Sequence, residues 1–127
     1  MDMVTRSAVL RAATLDVLAI VCFVAVGRRT HDEDGNVVLG LIEVAAPFLI
    51  AAAVGWLVGR AWRAPVALTT GATVWVVTVV LGMVLRRFVF DRGTATSFVV
   101  VATIVTGVLL LGWRLVAKVV QRARRSS

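Results

Sequence analysis

The sequence predicts an all-α integral membrane protein, an up-down-up-down bundle of four transmembrane helices. Three observations carry that expectation. The 127-residue chain is 60% hydrophobic with a mean hydropathy of +0.95, where a soluble domain is about half apolar. Its charges fall in short clusters between uncharged runs of about 20 residues, each able to cross about 30 Å of hydrocarbon. The connections between the runs are short, which makes neighbours in sequence antiparallel neighbours in space.

Spans at 9–27, 37–58, 65–85 and 94–114 make one membrane domain, followed by a basic tail, 115–127, that continues the last helix for a turn or two. The first span, Val9 to Gly27, contains Asp16 and also Arg11, which lies near enough to the end to snorkel into headgroups. A signal peptide competes here, with Ala25-Val26-Gly27 as a small-residue cleavage site, but Asp16 interrupts its apolar centre. Arg28 to Asn36 is a polar loop. Within it His31-Asp32-Glu33-Asp34 offers oxygens and an imidazole without the fixed spacing a divalent ion needs, and reads as a solvated acidic loop.

The second span, Val37 to Val58, is apolar apart from Glu43. A ladder at i+4 spacing runs down it: Glu43, Pro47, Ala51, Gly55, Gly59. Its small members let another helix approach closely, so the strip should face protein. Pro47 should kink the helix and free the carbonyl of residue 43. Gly55 to Gly59 is also a GxxxG, equally suited to contact within the chain or to a homodimer. Gly59 to Pro65 is a tight connection, with Pro65 expected in the first turn of the third helix.

Gly71, Trp75, Thr78 and Gly82 share one face of the third span. Arg86 to Gly93 is the third loop, and Thr96, Thr103, Thr106, Gly107 and Leu110 form a similar stripe on the fourth span. The stripes are expected to make interhelical hydrogen bonds in a dry bundle, with a polar path as the alternative. Trp56, Trp62 and Trp113 lie near span ends and read as interfacial anchors, while mid-span Trp75 reads as a packing residue.

The net charge of +7 arises from 14 basic against 7 acidic residues, and every base but Lys118 is arginine. Clustered beside apolar runs, these arginines suit lipid headgroups, not nucleic acid. With both termini on one side, nine bases (Arg6, Arg11, Arg60, Arg63, Arg114, Lys118, Arg122, Arg124 and Arg125) gather there and five on the other. The positive-inside rule then places the termini in the cytoplasm, the tail supplying most of the difference.

Asp16 and Glu43 are the intramembrane carboxylates, costly there and so the first candidates for function. Counted along their helices, they differ in depth by about 10 Å, so each needs its own partner. Arg28, Arg29, Arg86, Arg87, Thr96 and Ser97 are within reach of Glu43, and Arg114 or Arg63 of Asp16. The candidate polar site is therefore Glu43, Asp16, Arg86, Arg114, Thr96 and Thr103, with Pro47, Ala51, Gly55 and Gly59 for helix packing. Structural roles for both carboxylates are preferred, with Glu43 as the protonatable site of a proton- or cation-coupled carrier as the rival. Lone Cys22 cannot form an intrachain disulfide, and no enzymatic, metal-binding or cofactor-binding motif is present.

Gly27-Arg28-Arg29-Thr30-His31-Asp32-Glu33, Glu43-Val44-Ala45-Ala46-Pro47-Phe48, Gly55-Trp56-Leu57, Ala95-Thr96-Ser97-Phe98 and Gly112-Trp113-Arg114 form a recognisable set. Together they resemble the domain of unknown function 3054 family, small membrane proteins of high-GC bacteria and some archaea. The resemblance implies a four-helix integral membrane protein and assigns no activity, so no functional residue is carried over from it. By size the chain is also similar to small multidrug-resistance exporters, but its glutamate lies in the second span and it has no tyrosine. That likeness concerns architecture alone. The expected function is that of a structural or interaction protein of the cytoplasmic membrane, not an enzyme. Its expected partners are the bilayer and a second copy or another membrane protein. The alternative is a small homodimeric transporter or channel built on Glu43.

Overall fold

The computed structural model describes residues 3–31, 37–89 and 96–126. Four helices make the fold: α1 (Met3–His31), α2 (Val37–Gly59), α3 (Leu68–Phe88) and α4 (Thr96–Ser126), with a single 3₁₀ turn at Ala61–Arg63 between α2 and α3. No strand occurs among the described residues. Each helix is long and apolar enough to cross a membrane, and the protein is a multi-pass membrane protein. The four pack in a ring in chain order, α2 most closely on α3, with α1 closing the ring against both α2 and α4. Both termini and the α2–α3 turn thus lie at one end, called here the terminal end.

Each helix buries one stripe. On α1 it is Ala12, Asp16, Ala19, Ile20, Phe23 and Val24, and on α4 Ala102, Thr106, Gly107, Leu110 and Arg114. These are helical spacings, and the remaining faces carry aliphatic side chains outward, as lipid demands. At the far end the core is aromatic. The Phe48 ring stands edge-on to Phe23 with centroids 6.0 Å apart and is 6.1 Å from that of Phe98.

The close seam between α2 and α3 has a steric cause. A methyl on Gly55 would sit 3.2 Å from the Val74 Cα, and one on Gly59 would sit 2.9 Å from Thr73 Cγ2. The GxxxG is therefore used inside the chain. The ladder that contains it is buried from Pro47 through Ala51 to Gly55, while Glu43 is exposed and Gly59 half-buried. Each i+4 step advances about 40° round a helix of 3.6 residues per turn, so a long ladder centred on the interface leaves it at both ends.

Three boundaries differ from the sequence expectation. α4, at 31 residues, runs past the hydrocarbon at the terminal end, and α1, at 29, at both ends, so that Arg28 to His31, expected in the loop, are helical. The Arg, Lys and Ala residues that flank the spans are good helix formers. The tail is accordingly helical through Ser126. Pro65 does not open α3, which begins at Leu68 behind Ala67. Two turns, Ala64 N–H to the Ala61 carbonyl and Ala67 N–H to the Ala64 carbonyl, each 3.2 Å, absorb it instead. Arg60, between α2 and the 3₁₀ turn, is left-handed, with φ 49°. A non-glycine there costs about 1–2 kcal/mol.

Candidate functional site

At the terminal end of the core lies a polar cluster built from all four helices' neighbourhoods. Its acceptor is Asp16 of α1, 2% exposed, and its main donor Arg114 of α4, fully buried. The guanidinium grips the carboxylate as a fork: NH1 donates to Oδ1 at 2.9 Å and NH2 to Oδ2 at 2.8 Å. Two indoles complete the set, Trp113 donating to Oδ1 and Trp56 to Oδ2, each at 2.8 Å. The arginine is held from behind as well. Its Nε donates to the Pro65 carbonyl at 2.9 Å, and NH1 also reaches the Leu110 carbonyl one turn up its own helix at 3.0 Å.

Helix direction explains the convergence. Side chains lean toward the N-terminus of their helix. For α2 and α4 that lean carries Trp56, Trp113 and Arg114 from the terminal end back into the membrane. α1 runs the other way, so Asp16 leans down to meet them. α3 contributes space, because a methyl on Gly71 would sit 2.7 Å from the Arg114 Cδ. The turn before α3 contributes the Pro65 carbonyl, a role open to that residue because it lies outside the helix.

Sequence reasoning named Asp16 and Arg114 as partners, and the structure brings them together. It does not add the rest of the candidate polar set to them. Arg63, the other proposed partner, is exposed on the 3₁₀ turn. Glu43 is exposed on α2 and is not among the groups around Asp16. Arg86 lies at the far end, its guanidinium carbon 4.1 Å from the Phe98 ring centroid. Thr96 is exposed. Thr103 turns its hydroxyl to the Val99 carbonyl at 2.7 Å. Cys22 is exposed. Of the acidic loop His31-Asp34, residues Asp32 to Asp34 lie outside the described residues, as do Asp91 to Ala95.

Two expectations are corrected. Trp56 and Trp113 are not interfacial anchors. A carboxylate has about four lone-pair sites and one arginine fork fills two, so a buried Asp16 requires further donors, which the indoles supply. That count, applied to the sequence, could have found them. Nor do the stripe hydroxyls of Thr103 and Thr106 bridge helices: both donate to the carbonyl four residues back in their own helix. The two stripes are nevertheless tied by a hydrogen bond, since the Trp75 indole donates to the Thr103 carbonyl at 2.9 Å. Gly107 leaves room for it, since a methyl there would sit 2.9 Å from the ring.

With this geometry in place, comparison with known proteins has a bearing. The chain matches the family described as protein of unknown function (DUF3054) over residues 13–117. It belongs to that family. No curated protein and no solved structure matches it. The matched stretch encloses Asp16, Trp56, Pro65, Trp113 and Arg114, so in this DUF3054 protein the cluster lies wholly inside the family's span.

Two results are expected here. Trp56→Phe and Trp113→Phe should each lower stability by about 1.5–3 kcal/mol, the worth of a hydrogen bond to a charged group, read from the unfolding midpoint in mixed micelles. Thr78 is fully buried and its hydroxyl has no partner among the described residues. Thr78→Val should therefore be neutral or stabilise by up to about 1 kcal/mol, and a clear loss of stability would show that the hydroxyl is bonded.

Proposed function

We propose that the protein is a structural or interaction component of a bacterial cytoplasmic membrane, not an enzyme, with both termini in the cytoplasm. One observation carries the reading. The carboxylate the bundle buries is saturated by an arginine fork and two indoles, which supports a role in holding helices together. A group so occupied leaves no room for a substrate. Orientation rests on the positive-inside rule, now counted without Arg114, which is buried in the core. Eight bases remain at the terminal end against five at the far end.

A second reading is favoured by the exposure of Glu43 on α2. Two copies meeting along that face would enclose it, and Glu43 would serve a proton- or cation-coupled carrier. Proton and cation flux into liposomes, wild type against Glu43→Gln, separates the two. Flux that Glu43→Gln abolishes while the variant stays folded sinks the structural reading. A wild type without flux sinks the carrier.

A further inference from the structure

The terminal end carries eight exposed cations, from Arg6 and Arg11 on α1, through Arg60 and Arg63 beside the 3₁₀ turn, to Lys118 and the arginines ending α4. Asp16 does not offset them, since Arg114 already occupies it. Asp2 is the other carboxylate the sequence places on that side. The cations follow a pattern. Lys118, Arg122 and Arg125 stand four, eight and eleven residues after Arg114 and continue its face of α4 beyond the core. Next to them on the same turns, three residues before Lys118 and Arg122, Leu115 and Val119 are 53% and 58% exposed. α1 repeats the combination: Leu10, Arg11, Thr14 and Leu15 line an open groove of about 380 Å³. There the Thr14 hydroxyl turns back to the Leu10 carbonyl at 2.7 Å and Arg11 Nε donates to the Ser7 carbonyl at 3.3 Å. The groove itself is therefore almost wholly aliphatic, and the exposed Arg11 is the cation beside it.

The geometry points to a binding surface for anionic phospholipid around the terminal end, with headgroup phosphates on Arg11, Lys118 and Arg125 and acyl chains on the adjoining aliphatic faces. Exposed cation beside exposed aliphatic is the common element on both helices. A soluble polyanion would match the charges and gain nothing from the aliphatic side chains. A neutral lipid would match the aliphatic faces and bring no counter-charge to Arg11, Lys118 and Arg125. An anionic phospholipid matches both.

The test is electron paramagnetic resonance on the full chain in phosphatidylcholine vesicles at low salt. It compares the immobilised fraction of spin-labelled phosphatidylglycerol with that of spin-labelled phosphatidylcholine. Wild type should prefer the anionic lipid by about fivefold, the worth of one cation near a charged headgroup, and salt should weaken the preference. Arg11→Gln with Lys118→Gln and Arg125→Gln should bring the ratio to within about twofold of unity, and Lys118→Gln alone should lower it in part. Arg87→Gln, at an exposed cation of the far end, should leave it unchanged. A wild-type ratio of one overturns the proposal, as does a triple variant that keeps the preference or an Arg87→Gln that abolishes it. Displacement of the labelled lipid by an oligonucleotide or inorganic phosphate at matched ionic strength also overturns it, and assigns the surface to soluble anions.

Discussion

Replacing Arg114 with Ala should lower the stability of the bundle by about 3–5 kcal/mol, the cost of leaving one member of a buried ion pair without the other. The variant strips Asp16 of its fork, frees the carbonyls of Pro65 and Leu110 to seek other donors, and opens a space beside Gly71. Arg114→Lys should recover little. An ammonium keeps the charge but cannot hold two carboxylate oxygens and two carbonyls in fixed directions. The informative comparison is the pair removed together. Asp16→Leu with Arg114→Met should regain part of the loss, because replacing a buried pair by apolar groups is often near neutral. The remainder belongs to the indoles of Trp56 and Trp113, left without an acceptor, and adding Phe at both positions should restore it. Unfolding midpoints in mixed micelles across this series check the account. An Arg114→Ala variant as stable as wild type would remove the cluster from any explanation of the fold.

Gly82→Ala should be the second large effect, costing about 1–3 kcal/mol as overpacking. The new methyl would fall 2.5 Å from Cδ1 of Phe48 and 2.8 Å from Cε1. That ring is fully buried and flanked by Phe23 and Phe98, so it has nowhere to turn. Gly112→Ala provides the contrast. Nothing lies within 4 Å of its added methyl, so the intrinsic gain of Ala over Gly inside a helix, about 0.5–1 kcal/mol, should appear as stabilisation. The same substitution in two helices of one bundle is thus expected to have opposite signs. Equal effects would show that propensity, not the Phe48 socket, governs these positions.

The sequence is legible where a residue's needs are local. Four spans followed from runs of apolar residues, and depth counted along the helices narrowed the partner of Asp16 to Arg114 or Arg63, of which the structure takes Arg114. The i+4 ladder on α2 marked a protein-facing strip correctly over Pro47, Ala51 and Gly55. It failed at Glu43, because ladder spacing and helical period differ and the strip turns away before reaching that residue. Tryptophans near span ends were misassigned for a related reason: position along a helix sets depth, while direction round it decides between lipid and core. Pro65 escaped because a proline suits a helix's first turn and a connecting turn equally. The choice between them rests on the turns that Ala61, Ala64 and Ala67 make, and no side chain advertises those.

The order in which the cluster's members are synthesised has a consequence for assembly. Asp16 and Arg114 are 98 residues apart, so at about 5–20 residues per second the carboxylate precedes its arginine by about 5–20 s. Trp56 follows Asp16 by only 40 residues, about 2–8 s on the same scale. The α1–α2 hairpin therefore contains one donor for Asp16 while α4 is still unmade, and the indole is the expected provisional partner within the lipid. Trp56 and Trp113 make bonds of equal length to the carboxylate in the finished bundle, yet only Trp56 is present during that interval. Trp56→Phe should accordingly reduce the yield of inserted protein more than Trp113→Phe does, even where the two purified variants unfold at the same point.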